Sequence, residues 1–145
     1  MVRWLINEGR VEDAGLMLGR TPSIAGVVRQ GDQRGRTIGV RTANLHQIET
    51  MIPKEGIYAG FAEIDGTTYP AAISIGTKPT FGQHDLACEA HLLGFQSKED
   101  EYDWQLRLNI THWIRNQIKF DSIDELKDAI QGDLKMVSSL FESNA

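Results

Sequence analysis

The chain has 145 residues, 41% of them hydrophobic, and a net charge of −5 at pH 7. That is one ordinary domain with enough apolar side chain for a real core, so disorder is not the starting assumption. No long apolar run suggests a membrane span, the acidic balance argues against a general nucleic-acid surface, and one cysteine, Cys88, rules out an internal disulfide and suits a reducing cytoplasm.

Val2 to Leu18 reads as helical, with Gly9 interrupting it, so two short helices are an alternative to one. Gly19 is a good helix stop, and Pro22 follows where it prevents resumption. No basic stretch followed by an apolar core opens the chain, so no signal peptide is expected. Met1 as a native start is left open.

Strand signals begin at Ser23, running to Gln30 and a turn at Gly31-Asp32. The stretch Gly35-Arg36-Thr37-Ile38-Gly39-Val40-Arg41-Thr42-Ala43-Asn44 follows. In an extended segment Thr42 and Asn44 share a face. Their hydroxyl and amide oxygens are hard ligands of the kind Mg²⁺ accepts beside waters and phosphates. Glycines just before them let backbone approach a phosphate closely. The plainer reading is a glycine-rich hairpin leading into a polar strand. The segment matches neither the P-loop nor the dinucleotide fingerprint.

Ile57 to Ile64 is β-branched and aromatic, Asp65-Gly66 is a tight hairpin turn, and Thr67 to Ile75 returns from it. Pro70 lacks a ladder donor and belongs at an edge or bulge. Gly76 to Leu86, containing Lys78-Pro79-Thr80-Phe81, reads as a loop. Ala87 to Leu93 is a strand, with helix as a rival. Lys98 to Asp103 is a solvated acidic connection, and Gln105 to Trp113 alternates with Leu106, Leu108 and Ile110 on one face. Ser122 and Glu125 form a capping box. Ile123, Leu126, Ile130, Leu134, Val137 and Phe141 then recur at helical spacing. Helix, about six strands and helix suggest a closed antiparallel barrel with the helix packed on it.

Among the acidic residues Glu89 stands out, because it lies in an otherwise apolar strand. Alternation puts Ala87, Glu89, His91 and Leu93 on one face and Cys88, Ala90 and Leu92 on the other. If the second set is core, Glu89 and His91 are ordinary surface residues; if the first set lines a cleft, Glu89 can take a proton from a substrate hydroxyl. Cys88 reads as a small core residue. His84, Cys88 and His91 match no common zinc spacing. Arg34 and Arg36 are either phosphate neutralisers or plain loop charges. Arg115, just ahead of the C-terminal helix, is placed to reach a ligand over the barrel mouth.

The stretches Gly26-Val27-Val28, Arg34-Gly35-Arg36, Thr42-Ala43-Asn44-Leu45, Gly56-Ile57-Tyr58, Ile75-Gly76-Thr77-Lys78-Pro79-Thr80-Phe81, Glu89-Ala90-His91-Leu92-Leu93, Ile114-Arg115, Lys119-Phe120 and Ile130-Gln131-Gly132-Asp133 occur in this order. Together they resemble the riboflavin kinase family, specifically the kinase module of bacterial bifunctional riboflavin kinase/FAD synthetases. The resemblance spans nearly the whole chain. It implies a six-stranded antiparallel Greek-key β-barrel of the riboflavin kinase type with a C-terminal α-helix. Residues 1–21 resemble the helical segment joining the two modules, and residues 22–145 the kinase domain. It implies ATP-dependent phosphorylation of the terminal ribityl hydroxyl of riboflavin to FMN, with Mg²⁺. The catalytic glutamate falls on Glu89. The nucleotide site falls on Gly31, Gly35, Arg36, Gly39, Thr42 and Asn44, the metal ligands on Thr42 and Asn44, and the flavin-side arginine on Arg115. An adenylyltransferase module upstream or in trans is also implied, with no nucleic-acid or membrane partner. A flavin- or nucleotide-binding module with weak or no turnover, and a fragment active only within a longer bifunctional enzyme, remain as alternatives. Three departures bear on rate and affinity: Arg41 stands where the family usually has proline, Asp103 where it has glycine, and Gln117 where a glutamate is often present.

Overall fold

In the computed structural model, residues 2–19, 22–28, 41–46, 52–64, 66–80, 83–93, 104–117 and 120–143 are described. Two short helices open the chain, α1 (Val2–Asn7) and α2 (Val11–Leu18). Gly9, at φ +77°, breaks between them, and Gly19 ends α2 in the left-handed region that a β-carbon disfavours. The strands are β1 (Ser23–Val28), β2 (Arg41–His46), β3 (Gly56–Ile64), β4 (Thr67–Thr80), β5 (Gln83–Leu92) and β6 (Trp104–Arg115). A long helix, α3 (Ile123–Ser143), closes the described chain. The fold is thus mainly antiparallel β with a C-terminal helix. These strands hydrogen-bond in the cyclic order β1-β2-β5-β4-β3-β6.

Strand alternation sorts the side chains into two layers. Leu45, Tyr58, Ile73, Ile75, Cys88, Ala90, Leu92, Leu106, Leu108 and Ile110 fill the interior. Val11 of α2 joins the same cluster, so the N-terminal helices pack against the barrel. Tyr58 and Trp113 meet edge to face there at 5.2 Å, and the Tyr58 hydroxyl donates to the Lys54 carbonyl at 2.6 Å. On the outside, Ala59 and Ala72 form a shallow floor for Ile130, Leu134 and Val137 of α3. Burying three such side chains contributes about 1.5–3 kcal/mol each, which fixes the helix on β3 and β4.

The ends of α3 follow the sequence closely. Ser122 Oγ accepts from the Glu125 N–H at 3.2 Å. The Glu125 carboxylate reaches back one residue further than in the usual box, accepting from the Asp121 N–H at 3.1 Å. At the hairpin, Ile64 and Thr67 pair on either side of a two-residue turn with Gly66 at φ +81°. Pro70 sits where pairing with β5 ends: its carbonyl accepts from the Leu93 N–H, and its missing donor falls at the close of the ladder.

One expectation is corrected. The loop expected over Gly76 to Leu86 is instead the far end of a long hairpin. β4 continues to Thr80 and β5 starts at Gln83, with pairs from Gly76↔Ala87 to Thr80↔Gln83. Lys78-Pro79 suggested a break, but a ladder already registered over Ala71 to Ile75 extends at little extra entropic cost. The solvated connection over 98–103 and the end of the first predicted strand lie outside the described residues.

The β3–β6 pairing shifts register between Ala59 and Gly60, and Thr111 Oγ1 there donates to the Ala59 carbonyl at 3.0 Å. A β-carbon on Gly60 would lie 2.0 Å from the Asn109 carbonyl oxygen, a backbone atom that cannot swing away. Gly60→Ala should therefore destabilise the protein by about 3 kcal/mol, the upper end of overpacking costs. Denaturant unfolding measures it, and a change under 0.5 kcal/mol would contradict this close approach.

Candidate functional site

Glu89 lies on β5 between Cys88 and Ala90, which are both core residues at 1% and 0% exposure. The alternation therefore turns Glu89 and His91 to the outer face. This matches the face assignment that made them ordinary surface residues, but the surroundings are not ordinary surface. Glu89 is partly buried, and His91 is only 8% exposed.

The register explains why. Glu89 pairs with Asn44 on β2 and with Ser74 on β4; Ser74 pairs with Ile57 on β3, and Ile57 with Arg115 on β6. One cross-strand row thus joins Asn44, Glu89, Ser74, Ile57 and Arg115. Neighbouring strands lie about 4.8 Å apart, so the row brings Glu89, Ser74 and Arg115 close together, with the backbone of Asn44 in register beside Glu89. The next row holds Thr42, His91 and Ala72. The Leu93 N–H to Pro70 carbonyl bond sets the phase of the β4–β5 ladder. Counting in twos makes Ser74–Glu89 a hydrogen-bonded pair. On its other edge Glu89 then forms a non-hydrogen-bonded pair with Asn44, the closer kind, with α-carbons about 4.5 Å apart.

Helix α3 and the segment before it wall this face. Asp133, 7% exposed, accepts two hydrogen bonds from Arg115, from Nε at 2.9 Å and Nη2 at 2.8 Å. Arg115 Nη1 donates to the Asn116 carbonyl at 3.1 Å. Two residues on, Gln117 Nε2 donates to Ser74 Oγ at 2.7 Å and to the Ile75 carbonyl at 2.9 Å. Burial pushes the His91 imidazole below its ordinary value, against the opposing pull of Glu89 and then Asp133. Burial pushes the Cys88 thiol up to about 12, with Glu89 adding to the effect, which suits a core thiol and not a nucleophile.

The expected residues are distributed unevenly. Glu89 and Arg115 stand on one face of the barrel in the same row. The backbone of Thr42 and Asn44 runs beside them on β2. Gly31, Gly35, Arg36 and Gly39 lie outside the described residues, as does Arg34. Cys88 and His91 point to opposite faces, so they cannot share an ion. Among the described residues no cluster of three or more His, Cys, Asp or Glu could hold a metal. The sequence did not single out Ser74 or assign Asp133 a role. Each carried a signal: Ser74 is the polar residue inside Ala71-Ala72-Ile73-Ser74-Ile75, and Asp133 falls on the apolar stripe of α3 between Ile130 and Val137.

With this geometry in view, the comparisons give the class. The family model described as Flavokinase, riboflavin kinase, matches residues 18–141. The chain belongs to the riboflavin kinase family. It is 35% identical over 146 residues to the bifunctional riboflavin kinase/FMN adenylyltransferase of Bacillus subtilis, covering 98% of this chain and 46% of that protein. The corresponding protein of Mycoplasma pneumoniae is also 35% identical, with 97% of this chain and 50% of that protein covered. The chain therefore spans about half the length of these relatives. A solved structure from Streptococcus pneumoniae, described as a macrolide-efflux protein, superposes with a TM-score of 0.85 at 33% identity, over 94% of this chain and 45% of that one. Riboflavin kinase from Trypanosoma brucei shares the fold, with a TM-score of 0.55 at 22% identity over 83% of this chain and 79% of that one. No described helix is long and apolar enough to cross a membrane.

Two predictions test the faces of β5. Cys88 should resist a thiol reagent at pH 8 in the folded protein and react fully once unfolded; rapid labelling of the folded chain would mean that β5 is inverted. His91 takes up a proton less readily folded than unfolded, so below about 6.5, the ordinary value, the unfolded state holds more protons. Its stabilising contribution is complete above that pH and is lost as the pH falls. Urea unfolding at pH 7.5 and 5.5 should show a smaller loss of stability in His91→Gln than in the unaltered chain.

Proposed function

We propose that this chain transfers the γ-phosphoryl group of ATP to the terminal ribityl hydroxyl of riboflavin, giving FMN and ADP. The observation that carries the reading is the partly buried Glu89 carboxylate, in a polar cross-strand row of a chain that belongs to the riboflavin kinase family. The hydroxyl oxygen attacks the γ-phosphorus, the bond from that phosphorus to the β,γ-bridging oxygen breaks, and the hydroxyl proton passes to Glu89. Phosphoryl transfer asks for positioning and charge stabilisation more than covalent help from the protein. A carboxylate within reach orients a primary hydroxyl that is otherwise a poor nucleophile.

Thr42 and Asn44 are the residues we assign to Mg²⁺ and the phosphates. Their oxygen chemistry suits a hard ion that keeps several waters and takes its remaining ligands from substrate phosphates. Its bound charge would offset the negative charge that builds up during transfer. The glycines at 31, 35 and 39 with Arg36 are assigned to the phosphate loop, and Arg115 to the flavin side. We further read the barrel as the six-stranded Greek-key type of this family, residues 1–21 as the segment between modules, and residues 22–145 as the kinase domain. A cytoplasmic setting suits the single buried thiol. Adenylyl transfer, named in the bifunctional relatives, is assigned to a module upstream or in trans.

Glu89→Gln keeps the shape of the side chain and removes the base. Turnover, followed as FMN by chromatography at saturating riboflavin, ATP and Mg²⁺, should fall by about 10² or more, with binding of both substrates largely kept. Near-normal turnover would remove Glu89 from the mechanism. Flavin binding without FMN from the unaltered chain would replace the enzyme with a binding module.

A further inference from the structure

Gln117 spends its side-chain amide on two acceptors, Ser74 Oγ at 2.7 Å and the Ile75 carbonyl at 2.9 Å. A carbonyl can only accept, so the group that meets Ile75 must be a donor; an ionised carboxylate at this position could not serve that carbonyl, and it would take the Ser74 proton for itself. Having accepted from Gln117, the Ser74 hydroxyl keeps its own proton to donate. Across the ladder stands Glu89, in register with Ser74 as a hydrogen-bonded pair with α-carbons about 5.5 Å apart. An ionised carboxylate is an acceptor with several lone pairs. The opposite neighbour of Ser74, Ile57, offers no polar side chain.

We propose that Ser74 is a positioning residue: its hydroxyl, anchored by Gln117, donates to the Glu89 carboxylate and fixes the direction in which that base faces the substrate. This rests on the functional reading above and extends it to the residues that hold the base. It also gives Gln117 a physical role, since the amide anchors Ser74 where a glutamate would place a second negative charge beside Glu89. Charge-assisted hydrogen bonds of this kind are stronger than neutral ones. A base displaced by about 1 Å can lose up to 10² in rate.

The test has one arm that needs no turnover. Unfolding equilibria are measured for the unaltered chain, Ser74→Ala, Glu89→Ala and the double variant, since an alanine at 89 leaves the Ser74 hydroxyl no acceptor there. The folded-to-unfolded ratios should be non-additive by about fivefold, as for residues in direct contact. Additivity overturns the proposal. The second arm is kinetic. Ser74→Ala should lower kcat about tenfold with KM for riboflavin and ATP changed less than twofold, Ser74→Thr should restore it, and Gln117→Glu should lower it comparably. In the Glu89→Gln background Ser74→Ala should have no further effect on kcat. An unchanged kcat in Ser74→Ala overturns the positioning role even where unfolding shows coupling. Coupling on unfolding without FMN formation by the unaltered chain would leave the Ser74–Glu89 link standing and overturn the kinase reading. FMN formation with additive unfolding would do the reverse.

Discussion

The two-residue period of β5 is the constraint on which the site depends. Cys88, Ala90 and Leu92 must face the interior because they complete a core with Leu45, Ile73 and Ile75. Once they do, Glu89 and His91 are forced outward together. A slip of one residue would bury a carboxylate in the barrel and expose three apolar side chains, a double cost that pins the register. The site is therefore a by-product of core packing: the same ladder that seals the interior lines up Glu89, Ser74 and Arg115 across its outer side, with Asn44 paired to Glu89 on β2.

An outward carboxylate would still be an ordinary surface charge without α3. The helix packs on Ala59 and Ala72, whose small side chains let Ile130, Leu134 and Val137 approach the sheet. That contact brings Asp133 over the neighbouring row, where it binds Arg115 and adds to the field at His91. Packing and polarity are thus coupled. An apolar stripe fixes the helix, and one acidic residue in that stripe joins the end of β6 to it. The segment between them carries Gln117 back over Ser74 and Gly76, where the absence of a side chain leaves room for the amide.

Much of this was legible in the sequence. The alternation in Gln105–Trp113, the capping box at Ser122, the Asp65-Gly66 turn and the two faces around Glu89 rest on local periodicities that tertiary structure had no reason to override. The hairpin from Gly76 to Leu86 was not legible, because its pairing partner lies across the turn and its own composition suggests a break. The polar row was hidden for a similar reason. Asn44, Ser74, Glu89 and Arg115 are far apart in the chain, and only the strand order β2-β5-β4-β3-β6 makes them neighbours. Asp133 could be suspected as a polar residue on an apolar stripe, but its partner could be identified only after β6 was placed.

The state of Arg115 bears on how charge is divided over the site. Its guanidinium has five N–H groups, and three hydrogen bonds are accounted for, two to Asp133 and one to the Asn116 carbonyl. The Asp133 carboxylate, more deeply buried than the arginine, offsets the positive charge at 2.8 Å. A bidentate pair of this kind is costly to break, because a buried charge would be left uncompensated. Arg115 therefore presents a fixed direction with its charge already matched, which suits an uncharged ring system better than a triphosphate. Positive charge for the phosphates would then come from the metal ion that the proposed function assigns to the β2 side, where Thr42 and Asn44 stand in register with His91 and Glu89. On the proposed reading the row thus runs from a compensated cation at β6 to the Thr42 and Asn44 positions assigned to the metal on β2, with the Glu89 carboxylate between them, at the point where a neutral acceptor and an anionic donor would have to meet.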